Sequence, residues 1–321
     1  MRSAVRVIVV AVVAAWLLGT ALPDLALLWE IAPSNGLTTN YDGVVTGVHA
    51  GSAADRLSIV PRDRILAPLP EGLLREPPPS LSFQLMHAGA VRPVDLAPLP
   101  HILTPGQRAR LVVRFLTYAI FLAVGSALLL TRPSAAAWFF YCYCASRRFA
   151  ELGFYWPGSD EFFWFNRLTL VALGGACCAF VALFALRIAQ GRLGRLHARL
   201  ALVPWVAGAA AAIGWFAVTW QAAFAGAPSQ GFATALGLLE AAVYVGAAAA
   251  IVTTLVRCDP AERARLWWLW AFPPALVAQA AAAMLTSSVA ADVFDAVGVI
   301  APLAVAYALW TERYSASRAA S

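Results

Sequence analysis

Four charged side chains, Arg147, Arg148, Glu151 and Glu240, stand inside otherwise apolar stretches, and their chemistry is the first thing that needs a reason. A charge near the centre of a bilayer costs on the order of 2.5 to 3.5 kcal/mol on insertion scales. A chain that keeps such groups uses them to fasten helices, to relay a signal, or to move an ion or proton. Arg147 and Arg148 precede Glu151 by four and three residues, the spacings at which side chains meet along one helical face. Counted along their segments, Arg147 and Glu240 each lie about nine residues, or ~13 Å, from the same outer boundary. Glu240 is therefore expected to pair across helices with Arg147 or Arg148, and the four residues form a candidate intramembrane charge network.

Other chemistry is missing from the residues. His49, His87, His101 and His197 are each isolated and none falls in an apolar segment, so no His-Glu-x-x-His zinc helix is present. No Gly-x-Ser-x-Gly elbow occurs, and a chain without lysine holds no Walker-type loop. Cys142, Cys144, Cys177, Cys178 and Cys258 lie in or beside apolar segments, which indicates no disulfide framework; Cys142-x-Cys144 lacks a second ligand pair. No catalytic residue, cofactor or metal is expected, and the chain does not read as an enzyme. The 23 basic residues are all arginine and cluster at segment edges, a topological pattern, so nucleic acid is not an expected partner.

The elements that position these residues are membrane spans. Hydrophobic residues make up 61% of the chain and charged residues 12%, about half the charge of a soluble domain. Arg2 and Arg6 precede an apolar run over 7–22 and a further patch to residue 31, which reads as an uncleaved anchor, 1–31. Seven more segments follow at 110–131, 134–156, 163–186, 201–224, 232–256, 266–287 and 292–311, each near the ~20 residues that cross a bilayer. Arginines fill alternate connections: Arg132; then Arg187, Arg192, Arg195 and Arg199; then Arg257, Arg263 and Arg265; then Arg313 and Arg318. The positive-inside rule puts both termini in the cytoplasm and 36–100 outside. Arg108, Arg110 and Arg114 run against that rule, beside an insert large enough to translocate regardless of charge. Pro204, Pro273, Pro274 and Pro302 are expected to kink or break their spans. The seven-helix domain covers 108–312 and a cytoplasmic tail 313–321.

Residues 36–100 read as a water-soluble α+β insert. The β-branched stretch 44–48 between Asp42-Gly43 and Ala50-Gly51 is a short strand, Ser52 caps a helix from Ala53 to Leu57, and Arg64-Ile65-Leu66 is a second strand. Segments 81–86 and 91–96 alternate about Ala88-Gly89-Ala90 as a closing hairpin. This order resembles a bacterial PDZ domain: Gly51-Ser52-Ala53-Ala54, then Leu57-Ser58-Ile59, then Arg62-Asp63-Arg64-Ile65 hold that family's spacing without a gap. Ser58 and Arg62 stand where the family has glycines, so both tight turns are made by residues that tolerate them less well. The resemblance implies peptide binding at Tyr41, Asp42, Gly43, Val44 and Val45, by strand addition and capture of a carboxylate on backbone amides. Between the halves, Pro77 to Pro79 leave no room for the helix that walls the family's groove, so peptides are expected to bind poorly.

Taken together the chain is expected to be a polytopic α-helical membrane protein of about eight transmembrane helices with one small exported α+β PDZ-like domain. That arrangement resembles the membrane input region of ComP-type quorum-sensing histidine kinases, without the kinase domain; after Trp310 only TERYSASRAAS remains. The resemblance implies a sensor or receptor in the bacterial inner membrane that detects an extracytoplasmic peptide or protein. It would report to a histidine kinase or response regulator in trans. The alternatives are a PDZ-like scaffold for an envelope protein and a small-solute transporter that uses the intramembrane charges. Reporter fusions after Gln107, Gly158, Gly194, Ser229, Asp259 and Ser321 are expected to read outside, outside, inside, outside, inside and inside. A C-terminal fusion that reads outside refutes the assignment.

Overall fold

The computed structural model describes residues 3–26, 32–39, 43–48, 51–68, 70, 80–101, 105–147, 160–193, 200, 202–224, 230–284, 293–294 and 296–308. Helix α1 (Ser3–Ala26) leads into a small antiparallel region: β1 (Ala32–Ser34), β2 (Leu37–Thr39), β3 (Val45–Val48), α2 (Ala53–Arg56), β4 (Arg64–Ile65), β5 (Leu81–His87), β6 (Ala90–Leu96) and β7 (Leu99–His101). Then come α3 (Pro105–Thr131), α4 (Ala135–Ser146), α5 (Asp160–Leu193), α6 (Leu202–Phe224), α7 (Gln230–Arg257) and α8 (Pro260–Arg265). A 3-10 turn (Trp267–Ala271) and α9 (Phe272–Met284) follow, and residues 300–308 are again helical.

In the small sheet region β1 pairs with β7, β2 with β3, and β4-β5-β6 form a three-stranded sheet. Leu81 faces Leu96 and Phe83 faces Val94 across the β5-β6 hairpin, and the alternation buries these four with Leu85 while Ser82 and Gln84 stay exposed. They close over Val45, Ala53, Ala54, Ile59 and Ile65 as one core. Ser52 caps α2 by accepting from Asp55 N, and the Asp55 carboxylate accepts in turn from Gly51 N at 2.7 Å.

Ser58 (φ 53°) and Arg62 (φ 81°) both adopt the left-handed conformation expected of them. Neighbouring polar groups offset the strain. The Arg92 guanidinium donates to the Leu57 and Ser58 carbonyls at 2.6 and 3.1 Å, taking up acceptors that α2 leaves open at its end. Asp63, 4% exposed, accepts from Val60 N at 3.0 Å and meets His87 Nδ1 at 2.7 Å, which pins the second turn to β5.

The helical part is built for lipid. Four helices, over Arg108–Thr131, Leu168–Ala189, Leu202–Gln221 and Gly231–Arg257, are long and apolar enough to cross a membrane, and α1 carries a shorter apolar stretch, Ser3–Gly19. Leu202, Val203, Val206 and Ile213 of α6 are all more than half exposed, an outward apolar face that water does not favour and acyl chains do. Inward, the Phe140, Phe184 and Phe272 rings of α4, α5 and α9 meet at centroid separations of 5.2 to 6.0 Å. Helix α1 packs Val10 and Leu17 against Tyr118 and Leu122 of α3 and Tyr141 of α4.

Two sequence expectations need correction. Segment 134–156 is not one continuous helix: α4 stops at Ser146, and Arg147 is extended at φ −59° and ψ 130°. Pro273 and Pro274 stand where a 3-10 turn gives way to α9, and Pro302 follows the turn at Gly298 and Val299, so these prolines lie at interruptions of their spans. Pro204, Pro273, Pro274 and Pro302 each fall in the first turn of α6, α9 or the run 300–308, where a missing N–H costs nothing because that N–H has no helical partner. Segment 266–287 is a 3-10 turn joined to α9, and 292–311 is interrupted by a turn at Gly298 and Val299.

Helices α5 and α6 touch through small residues. A Cβ built on Gly175 would lie 2.8 Å from the Ala211 carbonyl oxygen, a backbone atom that cannot swing away. Gly246 on α7 has nothing within 4 Å of the same added atom. Gly175→Ala is expected to lower the melting temperature of the detergent-solubilised protein through a loss of about 1 to 3 kcal/mol. Gly246→Ala is expected to leave it unchanged or raise it through helix propensity. Equal effects of the two would refute this packing.

Candidate functional site

Helix α4 starts well and ends early. Ser134 accepts from Ala137 N at 3.0 Å as its N-cap, and twelve residues later the helix stops with neither proline nor glycine at the break. Twelve residues rise about 18 Å, short of a ~30 Å hydrocarbon core. An independent ruler agrees. The Arg147 guanidinium lies over the Phe121 ring, 4.9 Å from its centroid, and Phe121 sits ten residues before the end of α3 at Thr131, about 15 Å in depth. Arg147 therefore lies level with the inner part of α3, well away from its Thr131 end, and it is only 5% exposed.

Local groups satisfy the break. The Ser146 hydroxyl donates back to the Tyr143 carbonyl at 3.2 Å, and the Cys177 thiol of α5 points to the same oxygen at 3.6 Å. A cation at the C-terminal end of α4 also meets the negative pole of the helix dipole. Arg147 thus has three favourable surroundings: ring face, helix end and a polar cluster.

That cluster is assembled from four helices. Cys177 has the side chains of Ser146 and Tyr244 within hydrogen-bonding reach, with Tyr244 contributed by α7. Arg147 acts electrostatically on Cys144, Cys177 and Tyr244, while Glu240, one turn from Tyr244 on α7, acts on Cys177 and Cys178. Glu240 is 7% exposed, and its Oε1 accepts from the indole N–H of Trp215 on α6. Arg147 and Glu240 thus both act on Cys177, which is near the centre of the apolar stretch Leu168–Ala189. Among the described residues no group of three or more His, Cys, Asp or Glu is placed to hold a metal ion. The arrangement of carboxylate, thiol, phenol and guanidinium suits a shift of charge or proton between partners in a dry interior.

The sequence-predicted network is therefore placed in part. Arg147 and Glu240 lie among the described residues, and both act electrostatically on Cys177. Arg148 and Glu151 lie outside the described residues. The single helical face expected to carry Arg147 toward Glu151 is corrected, because the helix ends before Arg147. Sequence reasoning missed Trp215, Cys177, Ser146 and Tyr244. Trp215 had a readable signal: tryptophan favours the membrane interface, and one this deep in an apolar span needs a polar partner for its N–H.

The second candidate site, for an extended peptide, is corrected. Tyr41 and Asp42 lie outside the described residues. Gly43 has its carbonyl taken by Ile65 N at 2.7 Å, Val44 bridges to Arg64, and Val45 exchanges hydrogen bonds with Arg62 and Asp63. The other side of β3 is paired with β2, Val45 facing Thr39 and Val48 facing Leu37. Gly43, Val44 and Val45 thus have hydrogen-bond partners in residues 62–65 on the side away from β2, which leaves no free edge there for a peptide.

Glu240→Gln removes one of two opposed buried charges and is expected to lower the detergent melting temperature, corresponding to a loss of about 3 kcal/mol. Adding Arg147→Gln is expected to restore part of it, and Trp215→Phe to lower it alone. Strict additivity of Glu240→Gln and Arg147→Gln would show that the two charges do not sense each other. Comparison with known proteins yields no match, whether to a family model, a curated protein or a solved structure.

Proposed function

We propose that the protein is a membrane sensor that receives a signal on the side of the β-rich region and relays it through the helical bundle to an output protein on the arginine-bearing side. In this reading the chain crosses the bilayer about eight times, with both termini cytoplasmic and 36–100 outside as a PDZ-like domain. The observation that carries it is the end of α4 after twelve residues at a buried Arg147, which with Glu240 acts on Cys177. A charged cluster with several alternative hydrogen-bond partners is the kind of element that has two arrangements of similar energy, which a relay requires. The paired edges of β3 favour reception by some surface other than a peptide groove, and they weaken the scaffold alternative.

The same break favours a second reading, transport of a small solute. Half-helices that end at mid-membrane beside charged groups line the substrate sites of many transporters. Purification of the intact protein in detergent separates the two. Co-purification of a histidine kinase or response regulator, weakened by Glu240→Gln, supports the sensor. Its absence, together with solute flux in proteoliposomes that Glu240→Gln abolishes, would replace the sensor with a transporter.

A further inference from the structure

A cavity of about 220 Å³ opens where the arginine-bearing ends of the helices converge, far along α4 from the Arg147 cluster. Its walls come from α3, α4, α5, the 3-10 turn and the run 300–308, and they are apolar: Leu128, Phe184, Leu269 and Val305 line the interior. Arg132 and Trp268 stand on the same wall, at the level where α3 ends and α4 begins. Two other arginines of this edge have partners outside the cavity. Arg263 donates to the Leu255, Val256 and Cys258 carbonyls at the end of α7, and the Arg187 guanidinium sits 6.0 Å from the Phe139 ring centroid.

An apolar slot with one cation and one indole at its membrane edge selects an amphipathic anion. A soluble metabolite would find too few polar partners. The volume is below the ~300 to 1,000 Å³ of a site that encloses a whole small molecule, and it suits part of an acyl chain whose head stays at the interface. We infer that this cavity binds one anionic phospholipid, with a chain segment between Leu128, Phe184 and Val305 and its phosphate at Arg132. Basic pockets between membrane helices on the positively charged side take lipid headgroups by the same physics, and an indole at the boundary fits the interfacial belt. The inference rests on membrane embedding and on the charge of this edge, and not on the sensor reading.

The test uses the purified, delipidated full chain in detergent, with native mass spectrometry and thermal melting as readouts. Phosphatidylglycerol and phosphatidylcholine of identical chains are compared, with glycerol phosphate as the headgroup without a tail. Phosphatidylglycerol is expected to be retained about fivefold better than phosphatidylcholine, the effect of one cation beside an anionic headgroup, and to raise the melting temperature more. Arg132→Gln is expected to erase that preference, while Arg132→Lys keeps most of it and shows that charge, not fold, was lost. Equal retention of the two lipids, a preference untouched by Arg132→Gln, or stabilisation by glycerol phosphate equal to that by phosphatidylglycerol would each overturn the inference. None of these outcomes depends on whether a kinase or response regulator co-purifies.

Discussion

Inside a bilayer no water is present to satisfy a polar group, so every backbone carbonyl and every charge must find its partner within the protein. The end of α4 is where that constraint binds hardest. Stopping a helix in an apolar interior frees carbonyls that a continuing helix pairs, and this chain supplies Ser146, Cys177 and the Arg147 cation at that point. The cation then creates a demand of its own, which Phe121 meets with its ring face and Glu240 with opposite charge, both charges acting on Cys177. Glu240 in turn is held by the Trp215 indole. One interruption thus accounts for a set of linked polar side chains from α4, α5, α6 and α7.

The close approach of the helices is what allows this. Gly175 and Gly208 bring α5 against α6, Gly125 lets α3 lie on Cys144, and Gly237 meets the Ala283 carbonyl of α9. In lipid there is no hydrophobic drive to press helices together, so dispersion across flush small-residue surfaces must supply the cohesion. Larger residues at those positions would hold the helices apart and leave the polar groups of the cluster facing hydrocarbon.

In the β-rich region, outside the apolar helices, the same accounting of polar groups takes a milder form. Ser58 and Arg62 occupy left-handed turns without the benefit of glycine, and Arg92 and Asp63 tie those turns down from β6 and from the loop itself. The turns matter because residues 62–64 cover one side of β3 while β2 covers the other. The geometry that resembles a peptide-binding fold in its spacing is thereby closed on itself.

Much of the architecture was legible from residue order. Hydropathy located α3, α5, α6 and α7, since a bilayer demands long apolar runs and these four helices carry them among the described residues. Period-two alternation marked β5 and β6, and Ser52 marked the start of α2. Tertiary structure decided the rest. The break after Ser146 has no proline or glycine to announce it; it depends on a thiol and a ring from other helices, which sequence spacing does not bring together. Pro273, Pro274 and Pro302 stand where their spans are interrupted, and only the tertiary structure places each in the first turn of the helix that follows, where a missing N–H does not matter. The pairing of β2 with β3 likewise could not be read from strand propensity, which identifies strands but not their partners. What the linear order determined was where apolar surface must be buried in lipid; which polar groups share the dry interior was decided only when the helices packed.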